Sequence, residues 1–280
     1  MAIPLALIAF PKKLTIMFKF LKKKNRKNVQ KYFNAGEMEE LQKLPYGVSG
    51  NIEVEGRKFE FHDARSFYVS YEEIVKDKIY AFNTTSKTPV IIDCGANMGL
   101  SVYYFSKAYP SAKIIAFEPE EAIFPVLQNN VKAYNLKNVT LHKKAVWDKV
   151  TTLKFFTDKG MGGSVTNVYK NQEPALVETV ILADYLHEKI DFLKMDIEGA
   201  EYRVLKSCEA LLKNVENIFV EYHSYINEEQ HLEDLLQLLK QNGFRYHLKQ
   251  SFSRKSPFID KTVACENMDM AINIFAYRHQ

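Results

Sequence analysis

"VIIDCGANMG", residues 90–99, runs an apolar segment straight into a turn that holds two glycines, with an acid in front of them. Val90–Cys94 is short, β-branched and bounded by a turn, which suits a buried strand rather than a helix. Glycine then lets the backbone turn and approach a ligand closely, and "GLSVYYFSKAY" (99–109) continues as a helix. The same alternation repeats downstream. "KIIAFEP" (113–119) reads as a second strand, 120–135 as a helix, and "NVTLHKKAV" (138–146) as a third strand. "IDFLKMD" (190–196) is a fourth strand, 200–212 a helix with Val204, Cys208 and Leu211 on one face, and "NIFVEYH" (217–223) a fifth strand. Residues 228–242 form a helix with Leu232, Leu235, Leu236 and Leu239 as its stripe, stopped by Gly243. "FRYHLK" (244–249) and "MAINIFAY" (270–277) follow with no helix between them, most simply as an antiparallel pair. Repeated strand–helix units predict an α/β fold with a doubly wound, mostly parallel, seven-stranded sheet and helices on both faces.

Around this body the chain is more irregular. Residues 28–44 read as a short polar helix ending near Pro45, and "NIEVEGRKFEF" (51–61) alternates about Glu55-Gly56 as a β-hairpin. A Tyr- and Phe-rich helix spans 66–82, followed by the linker "NTTSKTP". Residues 151–182 show β-type alternation on either side of "GMGGS" (160–164). The expected organisation is therefore a basic extension at 1–31, a helix and hairpin subdomain at 32–82, and the main domain at 83–280.

The 280 residues carry a net charge of +4, and 46% of them are hydrophobic, ordinary for a globular protein. Residues 1–31 contain nine basic residues and no acid, so the remainder sums to −5. An acidic body does not suit tracking along nucleic acid, and no nucleic-acid partner is expected. The cations of the extension follow its apolar residues rather than preceding them, against a secretory signal. Phe10, Leu14, Met17, Phe18 and Leu21 interleave with lysines, so residues 10–31 could rest peripherally on an anionic membrane; a solvated extension, with Met17 as an alternative start, is the plainer reading. Three scattered cysteines suit neither a disulfide framework nor a zinc site, and suggest a reducing, cytoplasmic setting.

In open α/β sheets ligands bind at the carboxyl ends of the strands, beside strand one. Asp93, Gly95 and Gly99 stand there, and Glu118 stands at the end of strand two, where an acid can accept both hydrogen bonds of a ribose diol. A nicotinamide dinucleotide site would normally show G-x-G-x-x-G against the pyrophosphate. Here the spacing is D-x-G-x-x-x-G, and an acid beside a pyrophosphate would repel it. An adenosine cofactor with a cationic amino-acid arm fits better, which is S-adenosylmethionine. Its expected contacts are Asp93, Gly95, Ala96, Asn97, Gly99, Glu118 and Pro119, with backbone near Ala145 and Val146 beside the adenine.

With those residues in view, the chain resembles the FkbM family of S-adenosylmethionine-dependent methyltransferases. "VIIDCGANMGLSVYYFSKAYPSAKIIAFEPE" is similar to its first cofactor motif, "IDFLKMDIEGAEYRVLKSCEALL" to its K-x-D-x-E-G-x-E signature, and "FVEYHSY" to the E-x-H on the next strand. The resemblance covers roughly residues 75–240. It implies a Rossmann-like class I methyltransferase fold and methyl transfer to a hydroxyl on a glycan, glycolipid or small natural product. Two features depart from it: "LADYL" places Asp184 one position away from the family's L-D-x-L, and the N-terminal 50 residues and 251–269 match nothing in the pattern.

Alcohols need a base as the new bond forms. Asp196, at the end of strand four, is the first candidate, and His223, at the end of strand five, the second, unless it merely orients a neighbour. Glu198 and Glu221 are candidate acceptor contacts; Glu221 could equally be a buried partner of Lys194 or Arg203. Glu201 reads mainly as a helix N-terminal charge. Asp196, Glu198, Glu221 and His223 could converge on a divalent ion, but the sequence does not bring them together and no metal is expected. Tyr80, Tyr103, Tyr104, Phe117 and Tyr225 are aromatic candidates for pocket walls. Two alternatives remain open. One is methylation of a nucleic acid or a protein, although the Asn/Asp-Pro-Pro-aromatic motif of amino-directed DNA enzymes is absent. The other is a non-catalytic binding module.

Overall fold

A computed structural model describes residues 31–157, 163–164, 174–259 and 268–278. The expectations for residues 1–30, for Gly160–Gly162 and for 260–267 fall outside these described residues. Lys31–Gln280 forms one compact unit.

Strand β1 (Lys31–Phe33) pairs in parallel with β2 (Gly50–Val54), and a short helix α1 (Met38–Leu41) lies between them. The polar helix expected over 28–44 is thus replaced by a strand, a capped 3-10 turn at Ala35–Glu37 and one turn of α-helix. Asn34 explains the break, because its side chain and that of Glu37 cap the turn reciprocally. β2 and β3 (Arg57–Phe61) form the expected hairpin. Its turn residues Glu55 and Gly56 take φ of 48° and 74°, the double left-handed geometry of a tight two-residue hairpin turn. Helix α2 (Ala64–Ser70) starts at Asp63, whose buried carboxylate accepts from the Ser66 N–H, and runs into a π-helical turn at Tyr71–Lys76. It ends earlier than the predicted 82.

The expected strand–helix alternation is present. In chain order it runs β4 (Val90–Cys94), α3 (Leu100–Ala108), β5 (Lys113–Phe117), α4 (Phe124–Ala133) and β6 (Val139–His142). A small four-stranded sheet follows, built from β7 (Ala145–Trp147), β8 (Thr152–Thr157), β9 (Gly163–Ser164) and β10 (Ala175–Ile181). The predicted third strand is therefore two: Val139–His142 stays in the main sheet, and Ala145–Trp147 leaves it to pair with β10. The main sheet resumes with β11 (Ile190–Met195), α5 (Glu201–Ser207), β12 (Val215–Tyr225), α6 (Leu232–Gln241), β13 (Phe244–Ser253) and β14 (Met268–Arg278).

The seven strands lie in the order β13-β14-β12-β11-β4-β5-β6. β14 runs antiparallel to both neighbours, and the β6-β5-β4-β11-β12 pairings are parallel. Alternate residues of a strand face opposite layers: Ile91 joins the core under α3 and α4, and Ile92 the core under α5 and α6. All six residues of β11 are buried, as a central strand covered on both faces requires. The N-terminal hairpin packs on the α3–α4 face through Phe59, Phe67, Tyr103 and Tyr134. No helix among the described residues is long and apolar enough to cross a membrane.

Candidate active site

Two loops at the carboxyl ends of adjacent strands form the centre of the site: Gly95–Gly99 after β4 and Asp196–Ala200 after β11. Their approach explains the first glycine. Gly95 has φ of +86°, and a Cβ on it would lie 1.9 Å from the carbonyl oxygen of Asp196. A Cβ on Gly99 would meet Leu127 of α4 at 2.6 Å. Both glycines thus answer close packing within the chain rather than only the close approach of a ligand. Asn97 and Glu198 take φ of 48° and 58°, one left-handed residue in each loop. Such conformations cost energy and concentrate where loop geometry serves function.

Glu118 clasps the first loop. Its two carboxylate oxygens accept the N–H groups of Asn97 and Glu120, each at 2.8 Å. Burial pushes its pKa up to about 7, with the Glu120 charge adding to the rise, while the two N–H groups and Lys194 oppose it. Beside it lies an open cleft. Of the predicted cofactor residues, Gly95, Asn97, Glu118, Pro119, Ala145 and Val146 line this cleft, and Ala96 and Gly99 do not. The walls also include Ile123, Lys144, Phe155 and Ile197, which sequence reading missed. Phe155 in particular arrives from the small sheet, whose position no local pattern reveals.

Asp93 corrects the prediction. It is fully buried, bonded by the Ser101 hydroxyl at 2.6 Å, and faces the Lys194 ammonium at 3.4 Å. Lys194 already supplies the positive partner that a bound ammonium group was expected to supply. The Lys194 amine also donates to the Gly95 carbonyl at 2.8 Å and lies 3.2 Å from Asp196 Oδ2. Burial disfavours its charged form, but Asp196 and Asp93 outweigh that and hold its pKa well above the ordinary lysine value.

The remaining acids gather around His223. Its Nδ1 meets Glu201 Oε1 at 3.1 Å, and its Nε2 lies 3.6 Å from Glu198 and 4.0 Å from Glu221. Burial alone would strip the ring of its second proton; Glu198, Glu201 and Glu221 reverse this and hold its pKa well above the ordinary range. Its Nδ1 is thus engaged by Glu201 while its Nε2 faces two further carboxylates, so His223 sits inside the acidic cluster rather than alone at the end of its strand. Glu201 is also more than a helix-terminus charge. It is 1% exposed and accepts the N–H groups of Ile197 and Gly199 while orienting the imidazole. Glu198 accepts the Tyr225 hydroxyl at 2.7 Å. Burial, opposed by His223 and reinforced by Asp196, raises the Glu198 pKa to about 7. Glu221 bonds Ser251, not Lys194 or Arg203, because Arg203 is paired with Asp148. Lys194 and Glu201 went unassigned or undervalued in the sequence, although both are fixed letters of K-x-D-x-E-G-x-E.

A second, larger cavity opens on the other side of the loops. Gly95, Asn97, Asp196 and Glu198 line both cavities, so the two meet along that edge. The larger one is closed by Ser66, Val69 and Glu73 of the N-terminal region, and by Ser251, Phe252 and Met268 of the C-terminal strands. Tyr80 and Tyr225 line it, Phe117 lines the first cleft, and Tyr103 and Tyr104 belong to the core. Glu73 had no sequence signal beyond its place in a predicted helix.

The profile of the methyltransferase FkbM domain matches residues 93–246, more than half of the chain. The chain belongs to the FkbM methyltransferase family. Among its curated relatives, methyltransferase sdnD of Sordaria araneosa is 28% identical over 67% of this chain and 82% of its own length. The 2-O-methyltransferase NoeI of Sinorhizobium fredii is 27% identical over 48% of this chain and 63% of its own. The 31-O-demethyl-FK506 methyltransferase FkbM of Streptomyces tacrolimicus is 24% identical over 62% of this chain and 80% of its own. A solved FkbM methyltransferase from Methylobacillus flagellatus aligns with a TM-score of 0.45 at 17% identity, over 69% of this chain and 45% of that one. The FkbM match and the strand order together make the doubly wound fold of this family member a class I, Rossmann-like one.

Proposed function

We propose that this FkbM-family protein transfers a methyl group from S-adenosylmethionine to a hydroxyl of a glycan, glycolipid or small natural product. The observation that carries the reading is the shared edge of the two cavities, where Asp196 and Glu198 face both sides. The first cleft fits the cofactor by its donor set: a buried carboxylate, Glu118, for a diol, and the carboxylates of Asp196 and Glu198 along its edge for a cationic sulfur. S-adenosylmethionine, when bound, supplies an electrophilic methyl group on a cationic sulfur. Two of the relatives carry O-methyltransferase names, which favours oxygen as the acceptor atom.

The chain's own groups do the rest. Glu118 would accept the two hydroxyls of a bound ribose, and the walls at Ala145 and Val146 would hold the adenine. Displacement at a methyl carbon is in-line, so most of the acceleration comes from holding the acceptor oxygen opposite the leaving sulfur. Lys194 engages Asp196 Oδ2, which leaves Oδ1 to accept the proton of the acceptor hydroxyl. His223, held by Glu201 at Nδ1, faces Glu198 and Glu221 with Nε2 along the wall of the larger cavity.

Calorimetry with S-adenosylmethionine and turnover to S-adenosylhomocysteine across fractionated glycans, lipids and small molecules test the reading. The Asp196→Asn variant should lose about 10²–10⁴-fold in kcat, the usual size of a general-base contribution, with cofactor affinity changed far less. A variant as active as the native chain removes Asp196 from the mechanism. Tight, salt-sensitive binding of RNA or DNA would instead favour a nucleic-acid acceptor.

A further inference from the structure

Asp196, Glu221 and His223 each present one ligand atom, and the three atoms lie within 4.8 Å of one another. All three residues line the larger cavity. The His223 side chain is only 4% exposed, and Glu201 occupies its Nδ1. Its Nε2 makes no hydrogen bond among the described residues; the Glu198 and Glu221 oxygens stand off at 3.6 and 4.0 Å. A buried ring nitrogen directed at two carboxylates, with its other nitrogen fixed by a third, is the carboxylate–histidine arrangement that orients metal-binding imidazoles. Charge points the same way. Asp93, Asp196, Glu198, Glu201 and Glu221 face only Lys194 and His223 as cations within the cluster, and Lys194 is drawn to the Asp93 side.

We propose that Asp196, Glu221 and His223 hold a divalent cation at the wall of the acceptor cavity. This revises the expectation of no metal, and it leaves Glu198 beside the ion rather than on it. One imidazole and two carboxylates suit a first-row dication such as Mn²⁺. Ligand atoms each about 2.1 Å from one ion lie roughly 3.0–4.2 Å apart, so a trio within 4.8 Å needs side-chain shifts of about an ångström to close on it. The ion takes the place of the proton on Nε2 and polarises the acceptor hydroxyl. That last role rests on the methyl-transfer reading; the ion site itself does not.

The test is titration of the full chain with Mn²⁺ alone, without cofactor or acceptor, read by loss of the free-ion paramagnetic resonance signal and by calorimetry. One equivalent should bind, and Glu221→Gln should weaken binding at least tenfold at unchanged melting temperature. Glu73→Gln, in the same cavity but outside the trio, should bind as the native chain does. Absence of saturable binding up to millimolar Mn²⁺ overturns the site, as does equal weakening by Glu73→Gln, which would reveal diffuse attraction to acids. Cofactor binding and turnover measured in chelator keep the two readings separable: a failed metal site with intact methyl transfer sinks only the metal.

Discussion

At the residue scale, the acids of "FLKMDIEGAE" and "VIIDCGANMG" share a carboxyl group and differ in surroundings. Asp93 is sealed behind Lys194, Asp196 faces both cavities, and Glu201 is spent on loop N–H groups and an imidazole. Gly95 is the sharpest of these positions. Gly95→Ala should destabilise the fold by about 2–4 kcal/mol, read as a lower urea midpoint at unchanged slope, because a methyl group there collides with the Asp196 carbonyl. Glu118 sets a pH dependence. Its folded pKa is raised to about 7, chiefly by burial, with Glu120 and Lys194 as the charged groups facing it. The folded state therefore holds a proton that the unfolded state releases, and this contribution to stability falls as pH rises from the ordinary glutamate range through about 7. A ribose diol donates to the ionised form, so cofactor affinity should climb over that interval, with proton release visible in calorimetry across buffers. Glu118→Gln should flatten the profile; a native profile already flat from pH 6 to 8 would rule out the diol contact.

At the scale of elements, the site is held by ties between segments distant in sequence. Asn130 of α4 accepts from the Glu60 N–H at 2.7 Å and donates to the carbonyls of Glu60 and Met98, each at 2.8 Å. One buried side chain thus joins the N-terminal hairpin, α4 and the loop after β4. Asn130→Ala leaves those groups without partners and should cost about 2–4 kcal/mol, since each unmet buried group costs about 1–3 kcal/mol. The same variant should weaken cofactor binding, measurable by calorimetry, because Met98 belongs to the loop that Glu118 clasps. The strands themselves were legible: β4, β5, β11 and β12 are apolar runs with acids at their ends. The split at Lys143-Lys144, where β6 ends and β7 leaves for the small sheet, was not. The apolar pattern resumes after the two lysines and says nothing of which partner the second piece pairs with.

At the scale of the whole molecule, charge is segregated. Nine cations lie in residues 1–31 against a remainder of −5. If the basic extension holds the protein on a membrane, vesicles with anionic lipid should retain the full chain, and a chain starting at Asn28 should elute freely. Raising salt should release the full chain over the range in which the Debye length falls below about 10 Å. Equal retention of both proteins would exclude the extension as the contact. The larger cavity is also assembled from distant parts of the chain, because its walls come from the helix at Ala64–Ser70, both central loops and the C-terminal strands.

The sequence by itself determined the alternation of strands and helices, the strand that carries the first loop, and the residue types crowded at the strand ends. Apolar periodicity and glycine act locally, so they survive in a one-dimensional reading. Which carboxylate reaches a cavity, which is sealed and which clamps the histidine was decided only by tertiary structure. Lys194 reaches Asp93 across 101 positions, and Glu201 reaches His223 across 22. The protonation and accessibility of an acid follow from the dielectric and the charges within a few ångströms, and those neighbours exist only once the sheet has assembled.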